Sequence, residues 1–288
     1  YLRERFPDAK IYYAVPNWVY PVFAELITAA DGIVSIPTGG IISWGEHFLE
    51  TRKLKIDLVI ELNQAGASGK FYHCFSALSC WRYVYHNHQK RIGVVHRQGQ
   101  LLPNIQRDLD ACYTAAQEYF SEILPVPDYL QFGPNAKMKK KHQQTFNTIF
   151  GVSSSKWSKI WPIDQFAQLA EMIVKKTDTK ILIPFLPTLI DQEIFQQAQK
   201  LSWPEQVTLM QLQIAQLPGL IASADYYIGN DTGLKHLCIA LGMRSLTLFG
   251  SENPYEWHPY DKQKHQYLFR DLPEEAYKMS ERYAAVIK

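Results

Sequence analysis

The chain has 288 residues, of which 47% are hydrophobic, and its formal net charge is +2 at pH 7. This length fits two ordinary domains better than one, and the apolar fraction excludes a disordered chain. The nearly balanced charge gives no electrostatic case for nucleic acid as a partner. No apolar stretch approaches the roughly 20 residues of a membrane-spanning helix, and no signal peptide is visible, so we expect a cytoplasmic protein.

The four cysteines give no sign of a metal site or of a disulfide framework. They show neither CxxC spacing nor clustering with other metal ligands; they are Cys74, Cys80, Cys112 and Cys238. Free cysteines of this kind are typical of small buried residues in a reducing compartment. We therefore predict no metal site built on these cysteines.

Short apolar strands alternate with helical stretches in the first half of the chain. A helix ends before Pro7, and strands are predicted at 11–15, 33–36, 57–62 and 92–95. Helices are predicted around 71–86 and at 109–123, although the aromatic residues Trp81, Tyr83 and Tyr85 alternate as they would on a strand. Alternating strands and helices indicate a parallel sheet covered on both faces.

The second half repeats this alternation. Strands are predicted at 148–152, 180–185, 207–210, 226–230 and 245–249, with helices at 163–175, 192–201, 217–223 and from 233 onward. The polar, lysine-rich stretch 128–145 marks the boundary between the halves. We therefore predict an α/β protein with two Rossmann-like domains, 1–145 and 146–271, followed by a C-terminal amphipathic helix within 272–288.

The most informative segment, residues 226–242, reads Tyr-Tyr-Ile-Gly-Asn-Asp-Thr-Gly-Leu-Lys-His-Leu-Cys-Ile-Ala-Leu-Gly. It predicts a strand, a polar turn at Asp231, Thr232 and Gly233, and a helix that stops near Gly242. Backbone N–H groups at a helix start are unpaired and attract phosphate. Thr232 and His236 are four residues apart, so they share the helix face beside that start. The turn is therefore a candidate phosphate site.

A second polar loop, residues 151–162, follows one predicted strand and precedes a helix. It contains four serines and two lysines. Serine hydroxyls donate hydrogen bonds and a lysine supplies a mobile positive charge, so the loop suits an anion. A polar surface loop without a ligand is the alternative. Open parallel sheets bind ligands at the carboxyl ends of their strands, where both loops would lie.

These two loops carry a family resemblance. Ser-Ser-x-x-x-Lys-x-Trp-Pro and Asp-Thr-Gly-Leu-x-His-Leu resemble the corresponding loops of the glycosyltransferase family that contains the bacterial lipopolysaccharide heptosyltransferases. Segments 2–11, 57–62 and 91–93 are also similar to that family. The resemblance implies the GT-B fold, in which two doubly wound Rossmann-like domains face each other across a cleft. It also implies a nucleotide-sugar donor, usually ADP-heptose, and a lipid-linked core oligosaccharide as acceptor.

The resemblance further implies roles for individual residues. The donor's diphosphate would be contacted by Ser154, Ser155 and Lys159. The sugar and the phosphates would be held by Asp231, Thr232, Gly233 and His236. Leu212 would lie near the adenine, and the ribose would be bound by either Asp191 or Glu193, a choice that the sequence leaves open.

The chemistry implied by these residues is coherent. In glycosyl transfer the leaving diphosphate gains negative charge as the glycosidic bond breaks. Lys159, the serine hydroxyls and the helix start would stabilise that charge most strongly in the transition state. Protein cations would then stabilise the negative charge of the diphosphate, a function that Mg²⁺ usually has. The family resemblance thus predicts an inverting transfer without a metal and without a cofactor other than the nucleotide-sugar.

The general base is the part of the family pattern that this chain does not supply. In the family it is an aspartate in a glycine-containing loop after the first strand, which would precede Tyr1. No catalytic residue is therefore assigned; Glu46 and Glu61 are candidates only as carboxylates of the acceptor half. A non-catalytic nucleotide-sugar-binding relative is one alternative function, and another GT-B enzyme such as a sugar-nucleotide epimerase is a second.

The glycine-containing segment 66–70 is a candidate acceptor loop. It lacks the first glycine and the final Ser or Thr of a nucleotide-binding P-loop. We expect Lys70 to contact an anionic group of the acceptor, and a plain turn is the alternative.

Two further polar segments have less specific interpretations. Residues 251–254 follow the last strand of the second sheet, so Glu252 or Asn253 is a candidate donor contact. The lysine-rich run 137–142 is expected to be a solvated linker. Its alternative is contact with anionic lipid headgroups, which would place the protein peripherally at the inner membrane.

Overall fold

The computed structural model describes residues 1–24, 26, 28–62, 71–72, 74, 82–87, 92–93, 102–120, 125–131 and 145–269. The chain divides into two compact units. The first contains residues 1–20, the described residues of 29–131, and 255–259; the second contains the described residues of 21–28, 145–254 and 260–269. The domain boundary near residue 145 stays a prediction, and the helix predicted within 272–288 lies outside the described residues.

The described residues of the N-terminal part of the chain form short strands and four helices. In chain order its elements are α1 Leu2–Arg5, β1 Tyr12–Pro16, α2 Tyr20–Ala24, β2 Gly32–Ile36, α3 Ile41–Lys53, β3 Leu58–Glu61, β4 Arg82–Asn87, β5 Ile92–Gly93 and α4 Asn104–Phe120. Strands β1 and β2 pair in parallel, as do β3 and β4. Helix α3 packs on an aromatic cluster built around Phe71 and Tyr72, both of which are buried.

The C-terminal part forms a single six-stranded parallel sheet with strand order β11-β10-β9-β6-β7-β8. Its elements are β6 Asn147–Gly151, α5 Ile163–Val174, β7 Lys180–Phe185, α6 Leu189–Ala198, β8 Val207–Gln211, α7 Leu217–Ala222, β9 Tyr226–Asn230, α8 Gly233–Ala240, β10 Arg244–Phe249, α9 Pro254–Trp257 and β11 His265–Phe269. Short 3₁₀ turns occur at Tyr129–Gln131, Trp157–Lys159 and Ile214–Gln216. The sheet is doubly wound, since helices cover both of its faces.

Two hydrophobic cores lie on opposite faces of this sheet. Ile149 and Tyr227 belong to one core, whereas the next residue of each strand, Phe150 and Ile228, belongs to the other. This alternation follows from the two-residue period of a β-strand. Helices α5 and α6 cover one face and helices α7 and α8 cover the other. The prediction of an α/β fold with a parallel sheet is confirmed for this half of the chain.

The structure differs from the predicted secondary structure in three places. The helix predicted around 71–86 is wrong from Arg82 onward, because Arg82–Asn87 is a strand whose aromatic residues alternate in the sequence. Strand β5 pairs with β4 in the antiparallel direction, so the first unit is not purely parallel. Strand His265–Phe269 was not predicted, although it extends the sheet beyond β10.

Candidate functional site

The order of the strands places the two polar loops side by side. Strand β6 lies between β9 and β7, so the chain leaves β6 toward one side of the sheet and β9 toward the other. Ligands of open α/β sheets bind at such a switch point, outside the carboxyl ends of the strands. The loop 152–162 follows β6 and the turn 231–232 follows β9. The two segments singled out from the sequence are therefore neighbours at one edge.

Two glycines allow β6 and β9 to approach each other at this edge. Gly151 and Gly229 are register partners. A Cβ atom added to Gly229 would lie 2.6 Å from the Cα atom of Gly151, well inside van der Waals contact. Any side chain at Gly229 would push the strands apart and move the loops that follow them.

Asn230 fastens the loop 152–162 to strand β9. This residue is fully buried. Its side-chain amide donates to the backbone oxygen of Val152 at 2.9 Å, and its side-chain oxygen accepts from the backbone N–H of Trp161 at 3.0 Å. The Ser154 hydroxyl adds a third link by donating to the backbone oxygen of Asp231 at 3.0 Å. Ser154 therefore lies at the predicted site, where its hydroxyl links the loop 152–162 to Asp231.

Asp231 is the centre of a cluster of charged side chains. Its Oδ2 atom lies 3.1 Å from Lys159 Nζ and its Oδ1 atom lies 2.6 Å from Lys235 Nζ. His236 Nε2 is 3.7 Å from the same Oδ1 atom. Lys159, Asp231 and His236 were predicted to act together, and the structure brings them together. Lys235 was missed, although its position four residues after Asp231 is the signal for an ion pair on one helix face.

Glu252 adds a second carboxylate to this cluster. Its Oε1 atom lies 3.4 Å from Lys159 Nζ and 3.1 Å from Lys156 Nζ. The sequence suggested Glu252 as a donor contact, whereas the structure shows it paired with two lysines of the neighbouring loop. Lys159 is thus shared between two carboxylates rather than held as a solitary cation.

Burial sets the charge states of the central pair. Burial lowers the pKa of Lys235 to about 8, although the Asp231 carboxylate opposes the shift. Burial alone would raise the pKa of Asp231, but the charges of Lys235 and Lys159 and the hydrogen bond from Lys235 hold it below its usual value. Both groups are therefore ionised at neutral pH and form a buried ion pair.

The start of helix α8 faces the same cluster. Thr232 is the N-cap with an extended backbone, and its side chain makes no capping hydrogen bond. Gly233 is exposed at the first helical position. On the far side of the cluster, Tyr260 Oη lies 2.7 Å from His236 Nδ1, which fixes the imidazole ring. Thr232, Gly233 and His236 therefore lie where the sequence placed them, around Asp231.

The remaining candidates are placed less centrally or lie outside the described residues. Ser155 is exposed and Leu212 is half-buried just beyond the carboxyl end of β8. Glu46 is exposed on α3, and Glu61 is half-buried at the end of β3, both in the first unit. Lys70 lies outside the described residues, so its predicted acceptor contact stays a prediction.

Asp191 has a clear structural function. It is buried and its carboxylate accepts hydrogen bonds from Ser153 Oγ at 2.8 Å, from Thr188 Oγ1 at 2.5 Å and from the backbone N–H of Leu186 at 3.0 Å. Thr188 in turn caps helix α6 by accepting from the Asp191 N–H. Glu193 is exposed on the same helix. Of the two acids considered for the ribose, Asp191 is thus already committed to the start of α6.

The sequence contains one Asp-x-Asp pair. Asp108 and Asp110 lie within helix α4 of the first unit, and Asp110 is fully buried and accepts from Gln106 Nε2 at 2.8 Å. In the part of the chain that the structure describes, no three His, Cys, Asp or Glu side chains are grouped as metal ligands. Asp110 is therefore part of the packing of α4.

Comparison with known proteins decides the family. The model of glycosyltransferase family 9 (heptosyltransferase) matches residues 76–285, well over half of the chain. The chain belongs to this glycosyltransferase family. It is accordingly a glycosyltransferase, and family membership favours this activity over the epimerase alternative. No match was found among curated proteins.

Solved structures of family members share the fold. The chain is similar to E. coli ADP-heptose LPS heptosyltransferase II, with 17% identity, a TM-score of 0.71 and coverage of 95% of this chain and 85% of that one. A family 9 glycosyltransferase from Veillonella parvula gives 16% identity, a TM-score of 0.67 and coverage of 93% and 79%. E. coli heptosyltransferase WaaC with ADP gives 15% identity, a TM-score of 0.60 and coverage of 92% of this chain and 85% of that one. These similarities confirm the predicted GT-B fold class.

Among the described residues, no helix is long and apolar enough to cross a membrane.

Proposed function

We propose that this family 9 glycosyltransferase transfers a heptose from ADP-heptose to a lipopolysaccharide or lipooligosaccharide core, with inversion and without a metal. The observation that carries the proposal is the Asp231 cluster at the switch point of the second sheet. There a helix start and three lysines surround one small region. Such a site suits a diphosphate, which is the leaving group of a nucleotide-sugar.

Lys159 is the residue best suited to stabilise the negative charge that develops on the leaving group. Its side chain is only 12% exposed, yet its ammonium is shared between Asp231 and Glu252 at distances above 3 Å. A diphosphate oxygen placed beside Lys159 would compete with these two carboxylates for the ammonium. The competition favours the diphosphate more as the glycosidic bond breaks, because negative charge then accumulates on the leaving oxygen.

The helix start and His236 complete the proposed donor site. The backbone N–H groups that begin α8 are oriented toward the carboxyl edge of the sheet, and Thr232 adds a hydroxyl there. The hydrogen bond to Tyr260 fixes the ring of His236, which we assign to the sugar and the phosphates together with Asp231 and Gly233. Ser155 would complete the phosphate contacts from the exposed part of its loop.

The ribose and base of the donor and the location of the acceptor are assigned from further observations. We assign the ribose to Glu193, because Asp191 already accepts three hydrogen bonds within its own unit. Two of the similar structures, the heptosyltransferase WaaC of E. coli with ADP and with an ADP-2-deoxy-2-fluoro heptose, support adenine as the base. An acceptor with a lipid anchor would bring the enzyme to the cytoplasmic face of the inner membrane.

The donor site is tested by calorimetric titration of the full chain with ADP, UDP, GDP and ADP-heptose. Binding of the adenine ligands alone, tighter with the sugar attached, is the expected result. Lys159→Ala should weaken it roughly tenfold or more, the effect of one charge-assisted hydrogen bond. Lys180→Ala is the matched control, since Lys180 is exposed at the amino end of β7.

Other outcomes would change the assignment in defined ways. A preference for UDP or GDP would exclude the ADP-heptose donor and keep the site. Unchanged affinity in both Lys159→Ala and Asp231→Ala would show that the site is elsewhere. Donor binding by the full chain without transfer to a heptose-accepting core would favour the non-catalytic relative over the enzyme. The anomeric configuration of the product, read by nuclear magnetic resonance, tests inversion.

A further inference from the structure

Lys235 is an unusual residue for the interior of a protein. Its side chain is completely buried, and its ammonium lies 2.6 Å from Asp231 Oδ1. The same nitrogen lies 5.0 Å from the ring centre of Phe249 and 5.9 Å from that of Tyr260, so aromatic faces surround it. Lysine is almost never fully buried without a partner. Lys235 stands at the variable position of the Asp-Thr-Gly-Leu-x-His motif, and no role in donor binding has been assigned to it above.

The two lysines that share Asp231 differ in their freedom to leave it. Lys159 is partly exposed and already divides its ammonium between Asp231 and Glu252. Lys235 is enclosed, and the contact with Asp231 is shorter by half an ångström. Aromatic rings stabilise a cation that faces them, which adds to the enclosure of Lys235. Lys159 is therefore the exchangeable partner of Asp231, and Lys235 is the fixed one.

This difference matters when an anion arrives. The carboxylate of Asp231 is only 3% exposed, so water cannot replace a lysine that departs from it. A buried charge left without a partner is strongly destabilising. If Lys159 were the only cation on Asp231, its movement to a phosphate would carry this cost. With Lys235 in place, Asp231 keeps a full counter-ion after Lys159 has moved.

We propose that Lys235 is a positioning residue that acts as the permanent counter-ion of Asp231 and thereby frees Lys159 to bind the donor's diphosphate. The inference rests on the proposed donor site and deepens it. Lys235 itself does not touch the donor. Its effect reaches the diphosphate through Asp231 and Lys159.

A simpler mechanism makes a different prediction. If Lys235 acted only through the long-range attraction of its charge for phosphate, its effect on binding would be independent of Lys159. Removing either lysine would then cost the same whether or not the other is present. If Lys235 acts by releasing Lys159, removing it leaves Lys159 held by Asp231, and the later removal of Lys159 costs little. A double-mutant cycle separates these cases, because it measures the coupling between two residues.

The cycle is measured by calorimetric titration of the full chain with ADP. The proteins are the wild type, Lys159→Ala, Lys235→Met and the double variant; methionine keeps the length of the lysine side chain without its charge. Each single substitution is expected to weaken ADP binding roughly tenfold, and adding Lys159→Ala to Lys235→Met should cost only about twofold more. Lys180→Met, at the amino end of β7, is the matched control and should bind as the wild type does.

A second variant keeps the test decisive if Lys235→Met does not fold. Asp231→Asn/Lys235→Met removes both buried charges, so Lys159 is no longer held by a carboxylate at this position. Lys159→Ala in this background should cost roughly tenfold, as it does in the wild type. Where Lys235→Met does fold, the doubly neutralised variant should bind ADP more tightly than Lys235→Met. Circular dichroism of each variant confirms that it is folded.

The outcomes distinguish this inference from the proposed function. Additive effects of Lys159→Ala and Lys235→Met would overturn the inference and leave the donor site in place. An unchanged affinity of Lys235→Met, or no cost of Lys159→Ala in the doubly neutralised background, would also overturn it. If wild-type protein bound none of ADP, UDP and GDP, the donor site and the inference would both be refuted.

Discussion

Replacing Lys235 with methionine should change how the stability of the second unit depends on pH. Lysine in an unfolded chain has a pKa of 10.5, and burial lowers the pKa of Lys235 in the folded state to about 8. As pH rises, the folded state therefore loses this proton first, and the unfolded state binds more protons. Stability rises with pH wherever the unfolded state binds more protons. The wild type should thus gain stability between these two pKa values.

The size of the gain follows from the two pKa values. Integrated between about pH 7 and pH 9.5, the linkage of this lysine amounts to about 2 kcal/mol. Lys235→Met has no such proton, so the difference in unfolding free energy between wild type and variant should rise by that amount. Any packing cost of the methionine is independent of pH and cancels from this change. The prediction therefore isolates the charge of Lys235.

Other ionisable groups around Lys235 do not reproduce the effect. Asp231 contacts it directly, and the pKa of that carboxyl lies below its usual value, far from the pH window. Burial raises the pKa of Tyr260, so its phenol titrates above the window. Lys159 and His236 also face Asp231. Both are present in wild type and variant alike, so their direct contributions largely cancel in the difference.

Cys238 provides a reporter for the second unit alone. Cys238 lies in helix α8, and its side chain is fully buried in the core. Urea titrations at several pH values, each followed by a brief pulse of a thiol-specific reagent, give the fraction unfolded from the mass of the Cys238 peptide. Lys180→Met is the control and should keep the wild-type pH dependence. A difference between wild type and Lys235→Met that stays constant or falls with pH would refute the buried-cation argument.

Two further substitutions test the framework around the site by urea unfolding. Gly229→Ala should destabilise the second unit by about 2 kcal/mol or more, because its Cβ would overlap Gly151, whereas Gly219→Ala meets nothing within 4 Å and should be neutral or stabilising; equal effects would contradict the close approach. Thr188→Ala should cost about 1 to 2 kcal/mol, since it removes the cap of α6 and a hydrogen bond to Asp191; no loss would show that the cap is redundant.

Local sequence determined most of the second unit. A short continuous apolar run marked strands such as Lys180–Phe185, and helical periodicity marked Ile163–Val174, because these patterns depend on which faces of each element are buried. The glycine at position 242 has a positive φ of 79°, as a helix stop requires, and was recognised from its place after the helix. The two polar loops were identified for the same reason, since each interrupts an apolar pattern between a strand and a helix.

Pairing between segments that are distant in the sequence decided the features that local sequence did not predict. Strand His265–Phe269 exists because it pairs with β10, and its sequence has no strong apolar alternation of its own. The sequence places Asn230 only at the end of a predicted strand, and the adjacency of β6 and β9 gives its amide two backbone partners.

Lys235 shows the same division most clearly. The sequence places it four residues after Asp231, which permits an ion pair but leaves the lysine equally able to face water. Burial against Phe249 and Tyr260, from the following strand and a later loop, fixes its ammonium on Asp231. The sequence by itself therefore determined the fold class, the family and the edge of the sheet where the candidate site lies. The tertiary structure decided which charges are paired there, because pairing depends on desolvation by residues distant in the chain.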